Sequence, residues 1–212
     1  MTSLMRQARW SLVKSGACAA VMLAAACGGA ESTQTQRETP APAAAKVTEK
    51  PFVSGGRIEM QLDGGSYLVR PADGTAIRVT LTGNAGAAKV DITPQNSQAN
   101  VSVKETPRND FRATIEVPPA ADLVIRLAAG DLKVEGISGN KDIESNAGNV
   151  EIVTGDSKNY SSVDASVQAG DITTDSFGES QSGLLRKLTW SGTGKHTLRA
   201  KLIAGTLTLR SK

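Results

Sequence analysis

The chain has 212 residues and a formal net charge of +3, but three of its 24 Lys and Arg residues lie in residues 1–26, which contain no acid. The remainder has 21 basic and 21 acidic residues and is neutral, so its charge does not indicate nucleic-acid binding. Two cysteines and a single histidine, His196, argue against a disulfide framework, a zinc site or a histidine-based catalytic triad.

The N-terminal segment has the organisation of an export signal. Arg6, Arg9 and Lys14 precede an apolar run over residues 17–26, and small residues end that run. This order predicts a secretory signal peptide over residues 1–26. The run is too short for a transmembrane helix, which needs about 20 apolar residues.

Cys27 follows three alanines and precedes Gly28, which resembles the lipobox of bacterial lipoproteins. The resemblance implies cleavage before Cys27 and lipidation of its sulfur by diacylglycerol, with palmitate among the acyl chains. The chain would then be a lipid-anchored protein of the cell envelope. Gly28 is compatible with outer-membrane sorting in bacteria that have two membranes, and which face of the membrane it occupies stays open. An ordinary signal peptide cut before an incidental Cys27 is the alternative.

The segment after the cysteine is predicted to be a linker. Residues 27–51 contain mostly small, polar and proline residues, with little to bury, and such composition favours disorder. A flexible chain of this length spans about 25–30 Å. The folded domain is therefore expected to cover residues 52–212.

The domain sequence alternates apolar and polar residues, as at Ile58, Met60 and Leu62, which predicts an all-β fold. Several segments also share a glycine with mostly apolar residues five and three positions before it and two and four positions after it, the exceptions being Ser145 and Thr174. The shared glycines are Gly130, Gly148, Gly170 and Gly205, with a weaker copy at Gly65. Each unit is predicted to be a strand, a tight corner and a second strand, because glycine permits the positive φ of such a corner. Asp131, Asn149 and Asp171 follow three of these glycines and are expected to bond their own backbone there.

The spacing of the repeat favours a single-domain β-solenoid with repeats of about 20 residues. The glycines are 18, 22 and 35 residues apart, and the last interval leaves room for an intermediate coil containing Leu184, Leu185, Leu188 and Trp190. Such a solenoid would have open ends, with a repeat strand directly before Lys212, through which copies could associate. An antiparallel β-sandwich with hairpins at the glycines is the alternative.

Residues 115–123, 129–139 and 146–152 together resemble the putative-adhesin domain family of bacterial envelope proteins, whose function is uncharacterised. The resemblance covers residues 52–212, is strongest over 111–175, and implies a β-solenoid. Alanine replaces the family's usual serine before the glycine, and residues 176–197 break the period.

No segment carries a catalytic, metal-binding or cofactor-binding pattern. The turn aspartates are scattered, and the Ser191–Lys195 stretch lacks the spacing of a phosphate loop. Trp190 suits either core packing or an exposed sugar-stacking platform.

These observations predict a non-enzymatic protein that presents a binding or scaffolding surface to an envelope protein or polysaccharide. Two alternatives are an accessory of envelope-stress signalling and a carbohydrate-active enzyme, which would need a clustered acidic groove. The oligomeric state is left open.

Overall fold

Alternating apolar residues become β-strands throughout residues 45–211, the part of the chain that the computed structural model describes. The strands are β1 Lys46–Pro51, β2 Arg57–Leu62, β3 Gly65–Pro71, β4 Ala76–Gly83, β5 Lys89–Gln95, β6 Gln98–Lys104, β7 Phe111–Val117, β8 Asp122–Leu127, β9 Gly130–Val134, β10 Lys141–Val153, β11 Tyr160–Thr174, β12 Gln181–Ser191 and β13 His196–Arg210. A short 3-10 turn covers Ser157–Asn159. Within residues 45–211 no helix has the length and apolar character that a membrane span requires. The predicted all-β single domain is confirmed.

All thirteen strands belong to one sheet that bends into two walls. The first wall has the order β5-β6-β2-β8-β10-β13-β11-β12, and the second has β1-β4-β7-β3-β9-β10-β13-β11-β12. The central strands pair in parallel, whereas β1, β4, β5 and β12 pair antiparallel. Strands β10 to β13 are long enough to take part in both walls.

Stacked glycines form the bend between the walls. Gly65, Gly130, Gly148, Gly205 and Gly170 lie in this spatial order, and we call them the glycine column. Their φ angles lie between +115° and +157°, a region that strongly favours glycine. A Cβ on any of the last four would collide with the carbonyl oxygen of the neighbouring glycine. The column therefore needs glycine both for its φ and for its close stacking.

The corner turns the apolar rows of both walls toward one core. Leu127 and Leu132 are five positions apart, which would place them on opposite faces of a straight strand. Both are buried, because Gly130 and its positive φ lie between them. Ser145 takes a core position in β10 and its hydroxyl donates to the carbonyl oxygen of Ala147 at 3.4 Å.

The predicted linker overlaps the folded domain. Its last six residues form β1, which pairs antiparallel with β4. Lys46 Nζ also donates to the carbonyl oxygen of Ala88 at 3.2 Å. Only Thr48 in this strand is partly covered, so β1 is held mainly by backbone hydrogen bonds. Composition indicates which side chains can be buried, but it does not indicate backbone pairing. The predicted start of the domain, residue 52, is therefore later than the start of β1 at Lys46.

The predicted coil between Gly170 and Gly205 is wrong. β12 runs antiparallel to β11 at the edge of the sheet, and Leu184 and Leu185 are 70% and 80% exposed instead of buried. The open C-terminal coil is also wrong, because β13 lies between β10 and β11. The reversal of direction between β11 and β12 leaves the parallel edge of β11 free for the last strand.

An aromatic cluster packs where β11 and β12 meet the core. Phe177 is buried and contacts Tyr160 and Trp190 edge to face, with centroid distances of 5.7 and 5.2 Å. Of the two sequence-based readings of Trp190, its partial burial against this cluster supports core packing.

We predict that Gly148→Ala destabilises the fold more than Gly178→Ala. The two glycines have similar φ angles, +118° and +111°, but only at Gly148 would a Cβ meet neighbouring backbone. The left-handed backbone costs about 1–3 kcal/mol in both variants. Overpacking should cost Gly148→Ala a further amount of about 1–3 kcal/mol. Urea unfolding followed by circular dichroism measures both, and equal losses would contradict the stacking role.

Candidate functional site

An open groove of about 590 Å³ lies on the outer surface of the second wall. The groove is lined by outward side chains of neighbouring strands, including Thr82, Arg112, Thr114, Lys133 and Thr208. The half-buried Leu68 contributes an apolar patch among these polar groups. The groove follows from the alternation of the strands, because residues with buried neighbours on both sides must point outward.

The charges in the groove are arranged as opposite pairs. Lys133 Nζ lies 3.0 Å from a carboxylate oxygen of Glu135 and 3.9 Å from one of Glu151. The hydrogen bond to Glu135, helped by the charges of both glutamates, raises the pKa of Lys133. At the other end, Arg112 lies 3.0 Å from Asp110. The cations of the groove are therefore balanced by acids within reach of each.

Asp131 and Asn149 bond to each other instead of to their own backbone. Asn149 Nδ2 donates to Asp131 Oδ1 at 3.0 Å across the β9–β10 pair. Stacking in register brings residues from successive repeats side by side, and this ladder contact competes with the predicted local turn bond. A side-chain amide and a carboxylate thus form a fixed polar row beside the glycine column.

Of the five predicted structural glycines, Gly65 and Gly130 line a second groove at the corner, and none is in the lining of the first groove. The predicted lipidation site, Cys27, lies outside the residues that the structure describes. His196 begins β13, outside the groove lining. Within residues 45–211, no group of three or more His, Cys, Asp or Glu side chains is placed to hold a metal ion.

The structure also shows a buried cation that sequence reasoning missed. Lys141 is 2% exposed, and its Nζ donates to the carbonyl oxygen of Gly139 at 2.9 Å and to the Tyr160 hydroxyl at 3.1 Å. The same nitrogen lies 5.3 Å from the centroid of the Tyr160 ring. The Tyr160 hydroxyl in turn donates to the carbonyl oxygen of Thr154 at 3.4 Å. The ammonium group is thus satisfied by neutral partners.

Burial is the main cause of the shifted pKa values of Lys141 and Tyr160. It lowers the pKa of Lys141 to about 8, although the charge of Asp122 acts in the opposite direction. Burial also raises the pKa of Tyr160 to about 12. The repeat alignment contained the signal, because Lys141 aligns with Leu123 and Leu198 on the adjacent strands. A lysine in an apolar column indicates a buried charge.

Comparisons with known proteins give remote likenesses only. No protein-family model matches the sequence, and no curated protein is similar to it. Among solved structures, a putative cell adhesion protein from Clostridium sporogenes is 12% identical, with 80% of this chain and 100% of that chain covered and a TM-score of 0.49. A putative adhesin from Bacteroides fragilis is 10% identical, with 79% and 98% covered and a TM-score of 0.31. A putative lipid binding protein from Parabacteroides distasonis is 10% identical, with 78% and 62% covered and a TM-score of 0.26. Likenesses at this level assign no function to the chain.

We predict that Lys141→Met removes a rise in stability between pH about 8 and about 10. In this range the unfolded chain holds a proton that the folded chain has released from Lys141, so the free energy of unfolding increases with pH. The raised pKa of Tyr160 acts in the opposite sense, but only above pH about 10. The measurement is urea unfolding across this pH range, with the exposed Lys50→Met as the control. A rise that persists in Lys141→Met would contradict the assignment.

Proposed function

We propose that the protein is a lipid-anchored component of the cell envelope whose domain, a short β-solenoid, presents a non-catalytic binding surface. Five bent units stack in register through the glycine column, and their apolar side chains share one core. This stacking of similar units supports the solenoid description. The sequence around Cys27 supports the anchor, and residues between Cys27 and β1 would hold the domain away from the membrane.

The groove on the second wall is the observation that carries the binding proposal. It combines hydroxyls, one amide and balanced charges with the apolar patch at Leu68. A ligand with many hydroxyl groups and weakly apolar ring faces fits this lining, whereas a strongly charged ligand finds no excess charge. We therefore favour an envelope polysaccharide as the ligand.

The balanced charges also favour binding over hydrolysis. Asp131 accepts a hydrogen bond from Asn149, and Glu151 lies 3.9 Å from Lys133 and 4.0 Å from Arg210. A glycosidase needs one carboxyl group held protonated as an acid and a second as a base or nucleophile. Asp131 is already bonded to an amide donor and Glu151 lies between two cations, so both are placed as hydrogen-bond acceptors and not as an acid and base pair.

We predict that Asn149→Trp abolishes polysaccharide binding. The indole would fill the groove and remove the amide beside Asp131. Retention of the full chain, in detergent, on immobilised cell-wall polysaccharide measures the effect. Thr93→Trp is the matched control, because Thr93 is exposed on β5 and lies outside the groove. Equal retention of both variants and the unchanged chain would exclude the groove as the binding site.

We predict that growth with radiolabelled palmitate labels the protein and that Cys27→Ser removes the label. Cys18→Ser should leave labelling unchanged, because Cys18 lies in the predicted signal peptide. A protein without label, or one whose label survives Cys27→Ser, would refute the lipid anchor.

A further inference from the structure

The outer edge of β12 is unpaired within residues 45–211 and differs from the other two sheet edges. β1 ends at Pro51 and β5 contains Pro94, and proline cannot donate to an added strand. Lys46 of β1 also reaches the carbonyl oxygen of Ala88, just before β5. β12 has no proline and is exposed along most of its length.

The middle of β12 exposes two leucines at the corner between the walls. Leu184 and Leu185 are 70% and 80% exposed, although both lie within β12 and Leu184 pairs with Ala169 of β11. Leu185 has a φ of +53°, which is rare for a bulky residue. Exposed apolar side chains at an unpaired edge are the features of a surface that another strand covers.

Leu184 lies at the bend of β12, between two residues with positive φ, Gly183 at +114° and Leu185 at +53°. A strand bent in this way has two arms, and a two-fold rotation about the bisector of the bend exchanges them. The same rotation reverses the direction of the strand and of the stack. A second bent strand related by this axis therefore fits against the first along both arms.

We propose that β12 is a dimer interface, in which β12 of a second copy pairs antiparallel with it about a two-fold axis through Leu184. Each first wall would continue into the second wall of the partner copy, and the exposed leucines of both copies would meet at the axis. This interface is independent of the groove and of the lipid anchor.

The charges of β12 agree with this register. β12 carries two cations, Arg186 and Lys187, and no acid. An axis at Leu184 places Arg186 opposite Ser182 of the other copy and Lys187 opposite Gln181. An axis at Arg186 would instead place Arg186 of the two copies opposite each other, and this like-charge contact would destabilise the dimer. It would also shift the bend of one copy along the strand relative to the bend of the other. The register that superposes the bends is thus also the one that separates the charges.

Cross-linking through a residue on the axis tests the proposal, because only such a residue faces its own copy. Directly opposed Cα atoms in an antiparallel pair lie about 4.5–5.5 Å apart, within the range of a disulfide. In the full chain with Cys18→Ser and Cys27→Ser, copper-phenanthroline oxidation should convert most of Leu184→Cys to a disulfide dimer. Thr189→Cys, on the same strand, and Val53→Cys, at another exposed site, should stay largely monomeric.

Equal cross-linking of Leu184→Cys and Thr189→Cys would indicate random collision and would overturn the proposal. Absence of a Leu184→Cys dimer at high protein concentration, or cross-linking only to another protein, would also overturn it. The strand signal in circular dichroism verifies that each variant is folded.

A charge exchange provides a second test that needs no cysteine. Ser182→Lys places a third cation opposite Arg186 of the other copy and should weaken dimerisation at least tenfold in analytical ultracentrifugation. Adding Arg186→Glu to the same chain creates two opposite-charge pairs across the axis and should restore it. A double variant that dimerises as weakly as Ser182→Lys alone would contradict this register. An unchanged chain that stays monomeric at every concentration would also contradict it.

Discussion

The fold depends on the close stacking of backbone at the glycine column. Neighbouring corners approach so closely that a single Cβ would overlap the next carbonyl oxygen, and all five residues adopt a φ that favours glycine. Because the corner is the same in each unit, nearly all residues of the rows before and after it are apolar and buried, with Ser145 and Thr174 as the exceptions. One local constraint thus aligns two walls, fills one core and fixes the register of side chains on the outer surface.

This constraint fixes register but not the order of the strands. β13 occupies the place between β10 and β11, although β11 and β12 precede it in the chain. The corner glycine is common to all five units and so does not by itself distinguish their positions in the stack. The core therefore closes only when the last strand is in place, and pairing of this non-local kind favours slow folding. The backbone N–H of Ser211 donates to Asp175 Oδ1 at 2.9 Å, and this hydrogen bond fixes the end of β13.

Sequence reasoning succeeded where the signal is local and failed where it is not. Alternation and the glycine offsets predict the strands, their bends and their buried residues, because each depends on a few neighbouring side chains. β1 was missed because its partners on β4 lie about 30 residues away and its own side chains are exposed. The groove brings Arg112 and Asp131 to either side of Ser66 only through the pairing of β7, β3 and β9. Lys141 is the intermediate case. The repeat shows that its column is apolar, but not that the Tyr160 hydroxyl accepts a hydrogen bond from its ammonium group.

The two ends of the stack follow different physical rules. At one end, the sheet finishes in short strands with Pro51 and Pro94, and a lysine bridges the two edges. At the other end, Phe177 and Trp190 cover the core, yet β12 keeps its backbone edge and two leucines exposed. Leu185 combines a positive φ with an exposed apolar side chain. Both cost free energy, and burial against a matching strand would offset the two costs together.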